Sequence, residues 1–214
     1  VAGFTDGTVF LIDAGTLEWT THVSFVATNK TFSLAGADAV TNTVLMKANG
    51  GAAAYFNVVH TAGGEDSLTI SNLKFVRTGN GTVFSASNYS RIDVTNVVMD
   101  VDECQFQVTC DRLTIDGLIL RTESQSGLLH KSRTNREFDH VIRNSTFRKK
   151  TSGEGPCAAR ILTNDEGGSV TWENNEFFAT AGSDGDHFYD VQVTDAAATD
   201  IDFAFIANNF RKQH

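Results

Sequence analysis

Three carboxylates lie within a stretch of four residues, at Asp100, Asp102 and Glu103. Carboxylate oxygens are the ligands that Ca²⁺ prefers in proteins, so this acidic group is a candidate calcium site. No CxxC pair occurs among the three cysteines, which disfavours a zinc site. We expect no cofactor other than a possible calcium ion.

Two pairs of carboxylates could supply an acid and a base. They are Asp102 with Glu123, and Asp184 with Asp186. Hydrolysis of a glycosidic bond needs such a pair, in which the pKa of one member is raised. His187 directly follows Asp186 and is the histidine best placed to act as a base. The candidate catalytic residues are Asp102, Glu123 and His187, together with Arg148, whose guanidinium could contact an anionic group of a substrate.

Basic side chains complete a set of candidate ligand contacts. Arg121 follows one strand-like segment, and three further cations follow the next one at Arg148, Lys149 and Lys150. Such cations can neutralise an anionic group on a bound molecule. The predicted ligand-binding residues are Asp100, Glu103, Arg121, Lys149, Lys150, Asp184 and Asp186.

The overall composition weakens any functional interpretation of these charges. A chain with 26 Asp and Glu residues against 17 Lys and Arg carries carboxylates in its surface loops whatever its function. The net charge of −9 disfavours nucleic acid as a partner, because phosphate recognition needs a basic surface. No run approaches the roughly 18 apolar residues of a membrane-spanning helix. The sequence therefore favours a protein without catalytic activity, and an enzyme is the alternative.

The candidate residues follow a segment that recurs six times along the chain. Each copy alternates apolar with other residues, continues through Asn or a small residue, and closes on an apolar residue. Alternation at period two predicts a strand with one buried face. The copies read LTISNLKF (68–75), IDVTNVVM (92–99), LTIDGLIL (113–120), HVIRNSTF (140–147), VTWENNEF (170–177) and FAFIANNF (203–210).

The aligned copies predict columns of stacked residues. One apolar column runs from Ile70 to Phe205 and a second from Phe75 to Phe210, with a member every 21 to 33 residues. Between them, a bend is predicted at Asn72, Asn96, Gly117, Asn144, Asn174 and Ala207. Asn tolerates left-handed backbone and can hydrogen-bond to the equivalent Asn of the next copy, so we predict a structural ladder at this bend.

These columns predict an all-β fold. A strand that returns in one register, with short strands and no amphipathic helix in between, is typical of a single-stranded right-handed parallel β-helix with three short strands per rung. We expect one domain over residues 1–214, with N-terminal rungs over 1–66 and regular rungs over 67–214. The chain begins at Val1 and has no capping helix at either end, so we expect it to be part of a larger chain or assembly.

Three N-terminal segments carry a more specific pattern: GTVFLIDAGTLEW (7–19), VSFVATNKTFSLAGADAVTNTVL (23–45) and SLTISNLKF (67–75). Their order resembles the opening rungs of the pectate-lyase-like superfamily. The resemblance implies a parallel β-helix over essentially the whole chain. It also implies cleavage of acidic polysaccharide by β-elimination or hydrolysis, in which bound calcium or the cations after the repeated strands would face a uronate. The motif series of the superfamily's hydrolases, esterases and lyases are absent from this sequence, which puts that activity in doubt.

Partners are suggested by the ends of the chain and by apolar residues predicted to point outward, at Val98, Ile119, Val141 and Ile206. The favoured function is a structural or carbohydrate-binding module of an extracellular or virion-surface assembly, of the phage tail-spike or capsid-decoration type. Such a module would be a homo-oligomer, for example a homotrimer, facing a glycan surface. The alternatives are a secreted polysaccharide lyase or glycoside hydrolase, and a bacterial surface adhesin domain.

The sequence leaves two alternatives for the cysteines and predicts a structural role for one histidine. Cys104 and Cys110 could close a small disulfide loop and leave Cys157 over, or the thiols could be free and buried. His140 falls in an apolar column beside Leu113 and Val170, which predicts a half-buried structural histidine.

Overall fold

The structure is a computed structural model, and every regular element among the residues that it describes is a β-strand. No helix in the described part of the chain is long and apolar enough to cross a membrane. The described residues are 3–19, 23–27, 30–37, 42–46, 56–60, 66–77, 81–101, 104–122, 127–149, 156–163, 167–179, 187–193 and 200–212.

These residues form 19 strands. The strands are β1 (Thr8–Ile12), β2 (Gly15–Trp19), β3 (Val23–Ala27), β4 (Phe32–Gly36), β5 (Asn42–Met46), β6 (Phe56–His60), β7 (Ser67–Arg77), β8 (Gly81–Val101), β9 (Cys104–Asp116), β10 (Ile119–Thr122), β11 (Leu128–Lys131), β12 (Phe138–Arg143), β13 (Thr146–Lys149), β14 (Pro156–Thr163), β15 (Gly168–Glu173), β16 (Glu176–Ala179), β17 (His187–Val193), β18 (Ile201–Ile206) and β19 (Asn209–Lys212).

Every strand pairing among the described residues is parallel. From β9 to β16, each strand pairs with the strand three places later, as in β9–β12–β15–β18 and β11–β14–β17. β1 and β4 precede β7 in the same register, so that Phe10, Leu34 and Ile70 are aligned. The predicted all-β chain of parallel strands is confirmed.

The two predicted apolar columns are also confirmed. Strand register aligns the column from Ile70 to Phe205 and the column from Phe75 to Phe210, copy by copy. Members as far as Trp172 and Phe177 are fully buried, and burial of each such side chain contributes roughly 1.5–3 kcal/mol. Phe205 and Phe210 are both 46% exposed, because no described strand covers β18 and β19.

The bend between the columns is left-handed in every copy. The residues at the six predicted positions have φ between 51° and 75°. The amide of Asn96 donates to Asn72 Oδ1 at 2.9 Å, and the amide of Asn174 donates to Asn144 Oδ1 at 2.8 Å. At the copy containing Gly117, which has no side chain, Asp116 Oδ1 accepts from Asn144 Nδ2 at 2.8 Å. The predicted ladder is therefore confirmed, with a carboxylate in place of one amide.

A second ladder at this bend was not predicted. The column that begins with the apolar Leu73 and Val97 changes to polar side chains at Ser145, Asn175 and Asn208. Asn175 Nδ2 donates to the Ile142 carbonyl at 2.9 Å and is 1% exposed. These side chains satisfy backbone groups that the bend removes from the strand pairing.

Candidate functional site

The predicted edge after the repeated strands is described only in part. His187 begins β17, but its side chain is not described. Six predicted site residues lie outside the described residues: Asp102, Glu103, Glu123, Lys150, Asp184 and Asp186. The calcium site and the carboxylate pairs at this edge therefore stay predictions.

The described part of this edge brings three predicted residues together. Asp100, Arg121 and Arg148 are aligned in one outward column, which we call the edge column. Arg121 Nη1 lies 3.4 Å from Asp100 Oδ2, and both side chains are partly exposed. An exposed ion pair of this kind contributes at most about 1 kcal/mol to stability. Lys149 is only 3% exposed, so its side chain is not offered to a ligand at the surface of this edge.

The apolar residues predicted to point outward do not form one patch. Val98 and Ile119 are aligned neighbours, and Ile119 is 36% exposed. Val141 belongs to a different column beside Thr114 and Thr171, and Ile206 to a third column. An apolar surface for subunit contact is therefore not assembled by these residues.

The thiol of Cys110 is free and buried, so a disulfide with Cys104 is not formed. Burial raises the pKa of this thiol, which keeps it neutral. His140 lies beside Leu113 and Val170 as predicted. It is fully buried, however, where the sequence predicted a half-buried side chain.

A surface groove of about 670 Å³ lies at the other end of the repeated strands, where they begin. An adjoining cavity of about 420 Å³ continues it, and Glu137 and Phe138 line both. Strand register places one residue of each copy along this groove, in an outward line that we call the groove column: Ser67, Arg91, Arg112, Asp139, Ser169 and Asp202. The segment between β11 and β12 completes the lining with Asn135, Arg136 and Glu137.

A buried ion pair holds this segment in place. Arg133 Nε donates to Asp111 Oδ1 at 2.6 Å, its Nη2 donates to Asp111 Oδ2, and its Nη1 lies 3.4 Å from the carbonyl oxygen of Asn88. Arg133 is 6% exposed although it lies on a surface segment. Its planar guanidinium suits this two-point contact, which orients the following turn, where Asn135 has a φ of 55°.

Two glycines allow the strands to approach closely beside the second cavity. A Cβ on Gly167 would lie 2.6 Å from the Asp200 carbonyl oxygen, and one on Gly168 would clash with the backbone oxygen of Phe138. Any side chain at these positions would force β15 away from β12 or β18, so the glycines fix the shape of this part of the groove.

The groove presents charged groups that the fold leaves available. Within the described part of the chain, Arg112, Arg136 and Glu137 are exposed and make no ion pair. Arg91, in contrast, pairs with Asp93 at 2.7 Å, and this hydrogen bond raises its pKa. The second cavity adds the exposed carboxylates of Asp200 and Asp202.

Comparison with known proteins gives no relative from which a role could be transferred. No family model, curated protein or solved structure matches this chain. The chemistry of the groove therefore has to be inferred from its own residues.

Guanidinium and carboxylate groups dominate the groove lining, with serine hydroxyl groups and the amide of Asn135 beside them. Together they offer donors and acceptors in fixed planes, which suits a ligand rich in hydroxyl groups. No group of three or more His, Cys, Asp or Glu residues in the described ranges could hold a metal ion. The arrangement is therefore suited to hydrogen-bonded recognition of an extended polar molecule.

Sequence reasoning missed this groove because it assigned function to the loops that follow the repeated strands. A usable signal was present in KSRTNRE (131–137), which places four charged residues in a short segment between two strands. No pattern in the sequence distinguishes the buried Arg133 from the exposed Arg136, because the difference depends on the path of the segment.

Proposed function

We propose that this chain is a right-handed parallel β-helix with three short strands per rung, acting as a non-catalytic carbohydrate-binding module. The fold proposal is supported by parallel pairing between every third strand and by the left-handed bend in each copy. The right hand follows from the strong preference of parallel crossover connections for that hand.

The groove carries the carbohydrate-binding part of the proposal. It runs across successive copies, whose strands are spaced about 4.8 Å apart, and each copy contributes one polar residue to the groove column. A saccharide chain laid along the groove would meet the free guanidinium groups of Arg112 and Arg136 at one end and carboxylates at the other. Such a repeated polar surface on a rigid sheet favours a polymer over a compact ligand.

The setting that we propose is an extracellular or virion-surface assembly with several copies of the chain. This part rests on the resemblance of the N-terminal segments to the pectate-lyase-like superfamily, whose architecture also occurs in phage tail spikes. An adhesin that works as a monomer shares the same groove and differs only in oligomeric state.

A polysaccharide lyase or hydrolase is the second candidate. The observation that favours it is the presence of Glu137 and Asp139 beside two arginines in one groove, since carboxylates and cations are the groups that both reactions need.

The test is a glycan-binding screen of the purified chain at neutral pH, followed by a cleavage assay on every glycan that binds, with and without calcium. We expect binding without cleavage, and a multimer in light scattering. Cleavage would replace the proposal with the enzyme, and binding by a monomer would favour the adhesin. Absence of binding across neutral and acidic polysaccharides would refute carbohydrate recognition.

A further inference from the structure

Two histidines face each other in the core directly below the groove. His130 lies on β11 and His140 on β12, and neither is exposed. Their Nδ1 atoms are 2.9 Å apart, which is a hydrogen-bond distance, and their ring centroids are 5.1 Å apart. His140 Nε2 lies 3.1 Å from the carbonyl oxygen of Cys110.

These contacts fix the proton positions on both rings. A carbonyl oxygen only accepts, so the proton of neutral His140 lies on Nε2 and is donated to Cys110. Its Nδ1 then has a lone pair and accepts, and the proton between the rings belongs to His130 Nδ1. The pair is a directed chain, from His130 to His140 to the β9 backbone.

This chain of hydrogen bonds cannot take up another proton without a cost in free energy. A proton on His140 Nδ1 would place two N–H groups head to head and break the contact between the rings. A proton on His130 would preserve the contact but leave a cation in the core, where Trp172 and Phe138 pack against the rings.

The surrounding charges do not remove this cost. Among the side chains that the structure describes, the titratable groups around the pair are the Cys110 thiol and the Asp111 carboxylate on β9, Arg133 after β11, and the exposed Asp139 on β12. The Asp111 carboxylate is already engaged by Arg133, and Cys110 is neutral. Tyr89 of β8 lies opposite Cys110, and burial raises its pKa so that it is also neutral.

The pair and the carbonyl that it contacts are continuous along the chain with the groove lining. Cys110, whose carbonyl accepts from His140, precedes Asp111 and Arg112, and His140 itself follows Phe138 and Asp139. His130 is followed, two residues after Lys131, by Arg133, the residue that anchors the groove segment. A displacement of His140 would therefore move Asp139 in the groove column, and a displacement of His130 would move the segment that Arg133 anchors.

We propose that the His130–His140 pair is an acid-sensitive lock, which holds the segment between β11 and β12 in place in the groove wall at neutral pH and lets this segment open when the pair takes up protons. Opening of this segment would release a bound ligand at acidic pH, and this consequence rests on the proposed function. The opening itself does not depend on any ligand.

The direction of the pH dependence follows from the burial of the pair. Desolvation lowers the pKa of His130 well below 6.5, and it lowers the pKa of His140 to about 4. The open state, with histidines at ordinary pKa values, therefore binds more protons than the closed state between about pH 6.5 and pH 4. The stability that the neutral pair supplies is complete above pH 6.5 and is lost as the pH falls through this window.

The first test is hydrogen exchange of the unmodified chain, corrected for the intrinsic effect of pH. If both histidines gain a proton on opening, the opening equilibrium rises by up to about 100-fold per pH unit within the window. We expect protection of residues 128–143 to fall between neutral pH and about pH 5, with a smaller loss over the apolar copy at 68–77. Equal loss in both segments, or no loss in the first, would overturn the proposal.

The second test replaces the titrating rings. His130→Asn combined with His140→Gln retains an amide donor near each donating nitrogen and removes the titration, so protection of 128–143 should become insensitive to pH. Glu173→Gln, which replaces an exposed carboxylate on β15 outside the groove, is the control and should behave as the unmodified chain does. If the double variant does not fold, the ring-proton NMR shifts of the unmodified chain decide the matter, since titration of either ring near pH 6.5 with strand protection intact would refute the lock.

A glycan titration at both pH values separates the two proposals. Acid-induced exchange in a chain that binds no glycan would refute the proposed function and leave the lock standing. Equal glycan affinity at neutral and acidic pH, with unchanged exchange, would refute the lock and leave the function standing.

Discussion

The two ends of the repeated strands differ in what lies beneath their charged residues. At the groove, surface charges sit above a buried polar framework, formed by the Arg133–Asp111 pair and the two histidines. At the edge column, Arg121 lies between the apolar Leu120 and the buried Thr122, and it pairs with its own neighbour Asp100. A binding site needs side chains held by internal partners, whereas the edge column has the features of ordinary charge pairing on a sheet surface.

The largest expected difference between the two ends comes from removal of one arginine at each. Arg133→Met leaves the Asp111 carboxylate without its cation in a largely buried position, which should cost about 3 kcal/mol of unfolding free energy. Arg121→Met breaks an exposed pair and should cost less than about 1 kcal/mol. Urea unfolding of both variants measures the contrast. Equal losses would mean that the groove segment is not anchored as described.

Substitutions at the bend should change the unfolding free energy by less than the loss of Arg133 does. The change should be destabilising at Asn174 and stabilising at Ala207. Asn174→Ala removes a ladder hydrogen bond and places Ala in left-handed backbone, at a cost of about 2 kcal/mol. Ala207 already has a φ of 52°, so Ala207→Asn should stabilise the chain by about 1 kcal/mol. Thermal unfolding of the two single variants provides the comparison, and destabilisation by Ala207→Asn would contradict the ladder account.

The smallest effect is expected at the edge column. Asp100→Asn should change the unfolding free energy by less than about 1 kcal/mol, and the change should shrink as salt is added, because the pair is exposed. A loss of more than about 2 kcal/mol that persists at high salt would contradict this account, because it would show that the Asp100–Arg121 ion pair is shielded from solvent.

The sequence predicts the stacked columns and the bends because both depend on residue type at a fixed register. Ile70, Phe75 and Asn72 each recur with the same spacing relative to one another, and that spacing survives any change in the loops between copies. Parallel pairing then follows from the direction in which the chain returns.

The sequence does not predict the groove, because the groove depends on how one segment crosses the surface. Nothing in LLHK (128–131) indicates that His130 meets a histidine ten residues later on another strand. Arg133 and Arg136 belong to the same polar segment, yet one is buried against Asp111 and the other is exposed. Such contacts are properties of the packed chain rather than of local pattern.

The measurement that tests the central claim most directly is glycan affinity after loss of two arginines at either end. Arg112→Ala with Arg136→Ala removes the free cations of the groove, and Arg121→Ala with Arg148→Ala removes the same number from the edge column. For a glycan found in the screen, the groove variant should bind at least about tenfold more weakly, because one hydrogen bond to a charged group contributes roughly 1.5–3 kcal/mol, and the edge variant should bind as the unmodified chain does. A loss of affinity confined to the edge variant would contradict the assignment and return the site to the loops after the repeated strands.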